Sequence, residues 1–243
     1  MTGPVLVVFV YGLITAVATG FGAIPFAFVR RVSPRIVAYS NAIAAGLMLG
    51  ASFGLVAEGA DHGSAETFGG TVLGVAFILA TQRWLARREV RLGEIPKAGA
   101  RRMLLMMVVM TVHSFTEGVA IGASFAGGLT LAAVITAAIA VHNVPEGLAI
   151  SAVLRPQGHS VAKCAAWSVF SSLPQPLMAV PAFLFVDAFR PVLPYGIGFA
   201  AGAMVFMVFV ELLPEALQHA RRAPVGLLVS LSLIAMLLFQ ALL

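Results

Sequence analysis

Residues 103–154 read MLLMMVVMTVHSFTEGVAIGASFAGGLTLAAVITAAIAVHNVPEGLAISAVL. Two apolar runs of helix length flank a tight turn at Ala126-Gly127-Gly128, and a turn so short joins an antiparallel helix hairpin. Each run carries one copy of the pattern H-x-x-x-E-G-x-A-I. The first copy holds His113, Glu117, Gly118, Ala120 and Ile121, and the second holds His142, Glu146, Gly147, Ala149 and Ile150. On a helix, residues i and i+4 share a face about 6 Å apart, so each copy points an imidazole and a carboxylate the same way. At 1.5 Å of rise per residue, His113 lies about 15 Å in from one side and His142 about 21 Å in from the other. In an apolar layer about 30 Å thick the two rings then differ in depth by only several ångströms. Ionisable groups at that depth are costly unless they pair, line a wet cavity or hold an ion.

Working outward, the whole chain is of the same apolar kind. Of its 243 residues 60% are hydrophobic and only 10% charged, with a mean hydropathy of +0.99, outside the range of soluble domains. Apolar runs of about 20 residues recur throughout, so the reading is a single membrane domain over residues 1–243. The first run, about Pro4 to Phe28, lacks a basic leader and is too long for a signal-peptide core, so it reads as a retained span. A lone Cys164 excludes an intrachain disulfide and a thiolate metal cage.

Eight spans are expected, at about 5–28, 37–57, 68–85, 103–125, 128–153, 163–187, 194–217 and 224–242. Alternate loops then fall on opposite sides. One set carries Arg30, Arg31, Arg35, Arg83, Arg87, Arg88, Arg91, Lys97, Arg101, Arg102, Arg155, Lys163, Arg221 and Arg222, and the other carries only Arg190. By the positive-inside rule the first set is cytoplasmic and both termini face outside. The basic pI of about 10.1 is thereby explained by topology, and no nucleic-acid partner is implied. The other partner is the lipid bilayer, with the cytoplasmic membrane as location.

The segment Glu58-Gly-Ala-Asp61-His62-Gly-Ser-Ala-Glu66 reads as an acidic outer loop, either a plain solvated turn or a cation-concentrating entrance. Prolines interrupt three later spans, with Pro145 between His142 and Glu146, Pro174 and Pro176 in span 6, and Pro214 in span 7. Such residues are expected to break or kink a helix and, at membrane depth, often mark a site. Span 7 also carries Glu211, Glu215 and His219 at i, i+4 and i+8, either an exit stripe or a solvated helix end.

The candidate metal ligands are His113, Glu117, His142, Asn143, Glu146 and Glu211. Mixed imidazole and carboxylate donors suit Zn²⁺, Fe²⁺, Mn²⁺, Co²⁺ or Cd²⁺, and the missing thiolates argue against Cu⁺.

At these residues the chain resembles the ZIP transporters of divalent metals, in their short prokaryotic type. The two H-x-x-x-E-G segments look like that family's spans 4 and 5, and Val210-Glu211-Leu-Leu-Pro214-Glu215 looks like its span 7. The resemblance implies an all-α 3+2+3 bundle with inverted symmetry between spans 1–3 and 6–8, often a homodimer, working by an elevator-type shift. It also implies that His113, Glu117, His142 and Glu146 form the primary site. Asn143 and Glu211 would serve a second, adjacent site, with Glu117 and Glu146 bridging. The chain departs from the family pattern at Ser114, where Asn is common, at Thr116, where Pro is common, and at Gln175, where an acid is expected.

The function read from the sequence is inward transport of Zn²⁺ or a similar divalent ion, with the metal as cargo and no catalytic cofactor. The chain has no P-loop for direct ATP drive. An intramembrane zinc hydrolase is the alternative, though its usual H-E-x-x-H is absent. A proton or sodium carrier would use the same carboxylates and has no need of the two histidines.

Overall fold

The structure, a computed structural model, describes residues 2–29, 33–87, 97–125 and 128–242. Arg30, Arg31, Arg88 and Arg91, expected on cytoplasmic loops, and the Ala126-Gly127 turn lie outside the described residues. Among the described residues every regular element is helical. The elements are α1 (Thr2–Gly20) with a 3-10 turn (Phe21–Ala27), α2 (Pro34–Ala86), α3 (Lys97–Ser124), α4 (Leu129–Leu154), α5 (Val161–Ser172), α6 (Pro174–Leu184), α7 (Val186–Phe189), α8 (Leu193–Met207), a π turn (Val208–Leu212), α9 (Leu213–His219) and α10 (Arg222–Ala241). Six segments are long and apolar enough to cross a membrane: Gly3–Ala27, Pro34–Trp84, Met103–Ser124, Ala132–Gln157, Leu193–His219 and Arg222–Ala241.

The 53 residues of α2 would make a rod of about 80 Å if straight, more than twice the apolar thickness of a bilayer. The helix is instead interrupted at Gly63 (φ 163°, ψ 103°). Gly59 and Thr67, eight residues apart, would stand about 12 Å from each other on a straight helix. Here a Cβ built on Gly59 would lie 2.7 Å from Thr67 Oγ1, so the limbs on either side of Gly63 turn back on each other. The acidic loop expected over residues 58–66 is therefore corrected to helix with a one-residue break. Side chains satisfy the carbonyls freed at the break. His62 Nδ1 is 2.9 Å from Glu58 O, and Ser64 Oγ donates to Ala60 O at 3.3 Å.

The proline expectations divide. The sixth apolar run breaks at Leu173, immediately before Pro174, into α5 and α6, and the seventh passes through the π turn just ahead of Pro214. By contrast α4 continues through Pro145 unbroken, which corrects the expected interruption there. A membrane helix tolerates one missing hydrogen bond when its neighbours hold it.

Packing sorts the helices into two bodies. The first gathers α1, α3, α4, α5 and α6, with α3 lying most extensively on α6 and α1 on α4 and α6. The second gathers α2, α8, α9 and α10, where α2 makes the most extensive contact in the molecule with α8. The bodies meet where α4 packs on α2 and α3 packs on α8. The main core cluster is rich in methionine, with Met48, Met103, Met106, Met107, Met110, Met204 and Met207 all buried. Unbranched thioether side chains fill irregular gaps without demanding one fixed fit.

Candidate metal centre

His113 and Glu117 come from α3, and His142 and Glu146 from α4, each pair one helical turn apart. All four are buried, at 0%, 5%, 6% and 0% exposure. His113 Nε2 lies 3.1 Å from Glu146 Oε1 and 3.5 Å from Glu117 Oε1, and His142 Nε2 lies 3.4 Å from Glu146 Oε1. The two imidazoles stack with centroids 5.6 Å apart and planes 26° from parallel. One donor atom from each of the four residues falls within 4.8 Å of all the others. No other group of three or more His, Cys, Asp or Glu side chains converges in this way among the described residues.

These spacings match a shared ion. With metal to ligand bonds near 2.1 Å, the edge of a tetrahedral site is about 3.4 Å. His113 Nε2, Glu117 Oε1 and Glu146 Oε1, the atoms that face one another here, are buried without a well-formed hydrogen bond in the protein. Buried polar atoms are almost always paired, so an unpaired set aimed at one centre is itself a sign of a cation site. Two ionised carboxylates carry a charge of −2, which a divalent cation neutralises and a monovalent one does not.

The glycine of each motif brings another helix against the site. A Cβ on Gly118 would sit 2.6 Å from the Gln175 carbonyl oxygen of α6, and one on Gly147 would collide with the Thr19 carbonyl of α1. Through these contacts a polar chain reaches Glu117. Asn143 Nδ2 donates to the Thr15 carbonyl at 2.8 Å and to Gln175 Oε1 at 3.1 Å, while Gln175 Nε2 donates to Glu117 Oε2. Glu117 is thus held by one oxygen and offers the other to the centre.

Of the six candidate ligands, four converge. Asn143 spends its amide nitrogen on the chain to Gln175, while its Oδ1 is buried without a hydrogen bond. Glu211 stands outside the converging group, on the π turn, where Gln82 Nε2 of α2 donates to its Oε1 at 3.0 Å. Glu215 and His219 pair with each other at 3.7 Å.

A cavity of about 290 Å³ opens onto the centre, lined by His113, Glu117 and His142 and, toward the Gly63 end of the bundle, by Glu58 and Gln240. Sequence reasoning placed Glu58 on a loop and passed over Gln240. A lone amide near the end of an apolar helix carries no pattern to mark it. Met204 was also missed, and its Sδ stands 3.4 Å from His142 Nε2.

Comparison with known proteins agrees with this geometry. A family model described as ZIP Zinc transporter matches residues 90–239, which include both motifs and Glu211. An Arabidopsis thaliana protein carrying a zinc-transporter name is 45% identical over 230 residues, 93% of this chain and 37% of that protein, so the chain spans little more than a third of that relative. The zinc transporter ZIPB of Bordetella bronchiseptica is 34% identical over 242 residues, 90% of this chain and 76% of ZIPB. The zinc transporter GufA of Myxococcus xanthus is 29% identical over 239 residues, 90% of this chain and 92% of GufA. With its paired motifs brought to one buried centre, this chain belongs to the ZIP zinc transporter family.

Proposed function

We propose that this protein carries Zn²⁺, or a divalent ion of similar chemistry such as Fe²⁺, Mn²⁺, Co²⁺ or Cd²⁺, inward across the cytoplasmic membrane. The observation that carries the reading is the buried quartet of His113, Glu117, His142 and Glu146, whose converging donors, with a charge of −2 when both imidazoles are neutral and both carboxylates ionised, suit a divalent ion in an apolar interior. Four converging protein donors support transport over catalysis, since a hydrolytic zinc keeps one position open for water, and the cavity lined by Glu58 gives the quartet a route toward one end of the bundle. By the positive-inside rule that end is the outer one, opposite Arg35, Arg155, Arg221 and Arg222.

In this reading α2 supplies two spans and α5 with α6 supplies one, making eight spans in a 3+2+3 arrangement with both termini outside. The two packed bodies suit an elevator-type shift in which α1, α3, α4, α5 and α6 carry the ion past α2, α8 and α10. Asn143 and Glu211 would contribute to a second, adjacent site, with Glu117 and Glu146 bridging, and pairing of two copies would provide a fixed frame. Neutral imidazoles and ionised carboxylates are the binding forms, so acidity weakens loading.

Uptake of radiolabelled Zn²⁺ into proteoliposomes, beside a His113→Ala, Glu146→Ala double variant, tests the proposal. Uptake by the native protein alone supports it. Stoichiometric Zn²⁺ binding with no uptake overturns it.

A further inference from the structure

The contact between His142 and Met204 crosses the seam between the two bodies. His142 belongs to α4 in the first body, and Met204 to α8 in the second. His142 Nε2 and Met204 Sδ form a hydrogen-bonded contact at 3.4 Å, and Met204 is wholly buried. This is the same nitrogen that faces Glu146 Oε1 at 3.4 Å, so the sulfur stands on the metal-facing side of the ring. In a site of five donors, a nitrogen and a sulfur bound to one ion with bonds near 2.1 and 2.3 Å stand about 3.1 to about 3.6 Å apart, for angles from about 90° to about 110°. The observed 3.4 Å lies within that range. A side chain with three rotatable bonds covers the small remaining adjustment once the ion displaces the Nε2 proton.

We propose that Met204 is a specificity-determining ligand, its thioether completing the His113, Glu117, His142 and Glu146 site for soft divalent ions. The inference rests on the transport-site reading given above. A neutral sulfur adds a soft donor to two nitrogens and two carboxylates without changing the charge of the site. It therefore strengthens binding of Cd²⁺ more than that of Zn²⁺, and leaves hard Mn²⁺ least affected. The other buried methionines fill space in the core cluster. Met204 stands apart from them in that its sulfur forms a hydrogen-bonded contact with a member of the quartet.

The test uses the full chain in detergent with Cd²⁺ alone as the probe. X-ray absorption at the cadmium edge, on protein grown with selenomethionine in place of methionine, reads whether a heavy scatterer sits in the ion's first shell. A selenium neighbour that disappears in Met204→Leu is the expected result. A shell of nitrogen and oxygen only, in protein that binds Cd²⁺ stoichiometrically, overturns the proposal, and this measurement on the unsubstituted chain does not depend on a variant folding. Competition titration gives a second readout. Met204→Leu is expected to weaken Cd²⁺ binding about tenfold, the lower end of the loss seen for metal-site partners, with a smaller loss for Zn²⁺. Equal losses for both ions assign Met204 to packing and also overturn the proposal. Failure of the quartet itself reads differently: Cd²⁺ binding would then be absent, or unchanged by Glu146→Gln.

Discussion

The two copies of the H-x-x-x-E-G pattern are alike as strings and unequal as structures. Glu146 in the second copy faces both imidazoles, at 3.1 Å from His113 and 3.4 Å from His142, and neither of its oxygens is taken by a hydrogen bond. Glu117 in the first copy faces His113 at 3.5 Å, and Gln175 holds its second oxygen. The residue after each histidine differs in the same way. Asn143 is built into a chain from Thr15 to Gln175, whereas the Ser114 hydroxyl is buried without a partner. One copy supplies the central ligand and the frame, and the other supplies a ligand that the frame positions. Identical spacing therefore does not imply equal contribution.

The sharpest way to break this comparison is to neutralise each carboxylate in turn. Glu146→Gln removes the anion that both imidazoles share, and losing one partner of a buried charge cluster costs about 3–5 kcal/mol, or at least about a hundredfold in Zn²⁺ affinity. Glu117→Gln is expected to cost about tenfold, nearer to the loss of a supporting group. Calorimetric titration of the two variants with Zn²⁺ decides between them, and a larger loss for Glu117→Gln would reverse the asymmetry. The histidines sharpen it further. His113 lies against both carboxylates and His142 against one, so His113→Asn should weaken Zn²⁺ binding more than His142→Asn, each within about 10- to 100-fold. The same titration ranks them.

The quartet was legible in the sequence because its geometry is local. Spacing of i and i+4 sets the face shared within each helix, a short turn sets the pairing of the two helices, and rise per residue sets their depth. What escaped depends on elements far apart in the chain. Gln175 stood out only as a departure from a family pattern, and nothing in its neighbourhood shows that it would hold Glu117, 58 residues away. Met204 lies in an apolar run where one more methionine is unremarkable, and only the packing of α8 against α3 and of α2 against α4 brings its sulfur to His142. The break at Gly63 was misjudged for another reason. Acidic residues beside glycines resemble a loop, yet Glu58, Asp61 and His62 continue the helix up to a single residue that has no Cβ. Local composition marks where polarity changes, and long-range packing decides how few residues the chain needs to turn.

The frame around Glu117 is open to a stability test. Gln175→Leu strips the donor from Glu117 Oε2 and the acceptor from Asn143 Nδ2 together, leaving two buried polar atoms without those partners. Each such atom costs about 1–3 kcal/mol, so the variant should unfold at a clearly lower temperature in detergent. Asn143→Ala breaks the same chain at its other end and should fall in the same range. If neither moves the thermal midpoint, the second copy does not act as a frame.

Ser114→Ala is the smallest expected effect and the most discriminating control on that frame. Ser114 occupies in α3 the place that Asn143 occupies in α4, one residue after the histidine, and both are fully buried. Their hydrogen bonding differs: the Asn143 amide donates to two acceptors, while Ser114 Oγ has no partner. A hydroxyl buried without a hydrogen bond contributes desolvation cost and no compensating bond, so replacing it by a methyl should leave stability within about 0.5 kcal/mol or raise it slightly. Zn²⁺ affinity should stay within about twofold, since an oxygen that served as a ligand would be missed by tenfold or more. Calorimetry on Ser114→Ala and Asn143→Ala side by side reads both quantities. A loss at Ser114 as large as that at Asn143 would mean that the two copies hold the site symmetrically, and that the serine hydroxyl meets the ion directly.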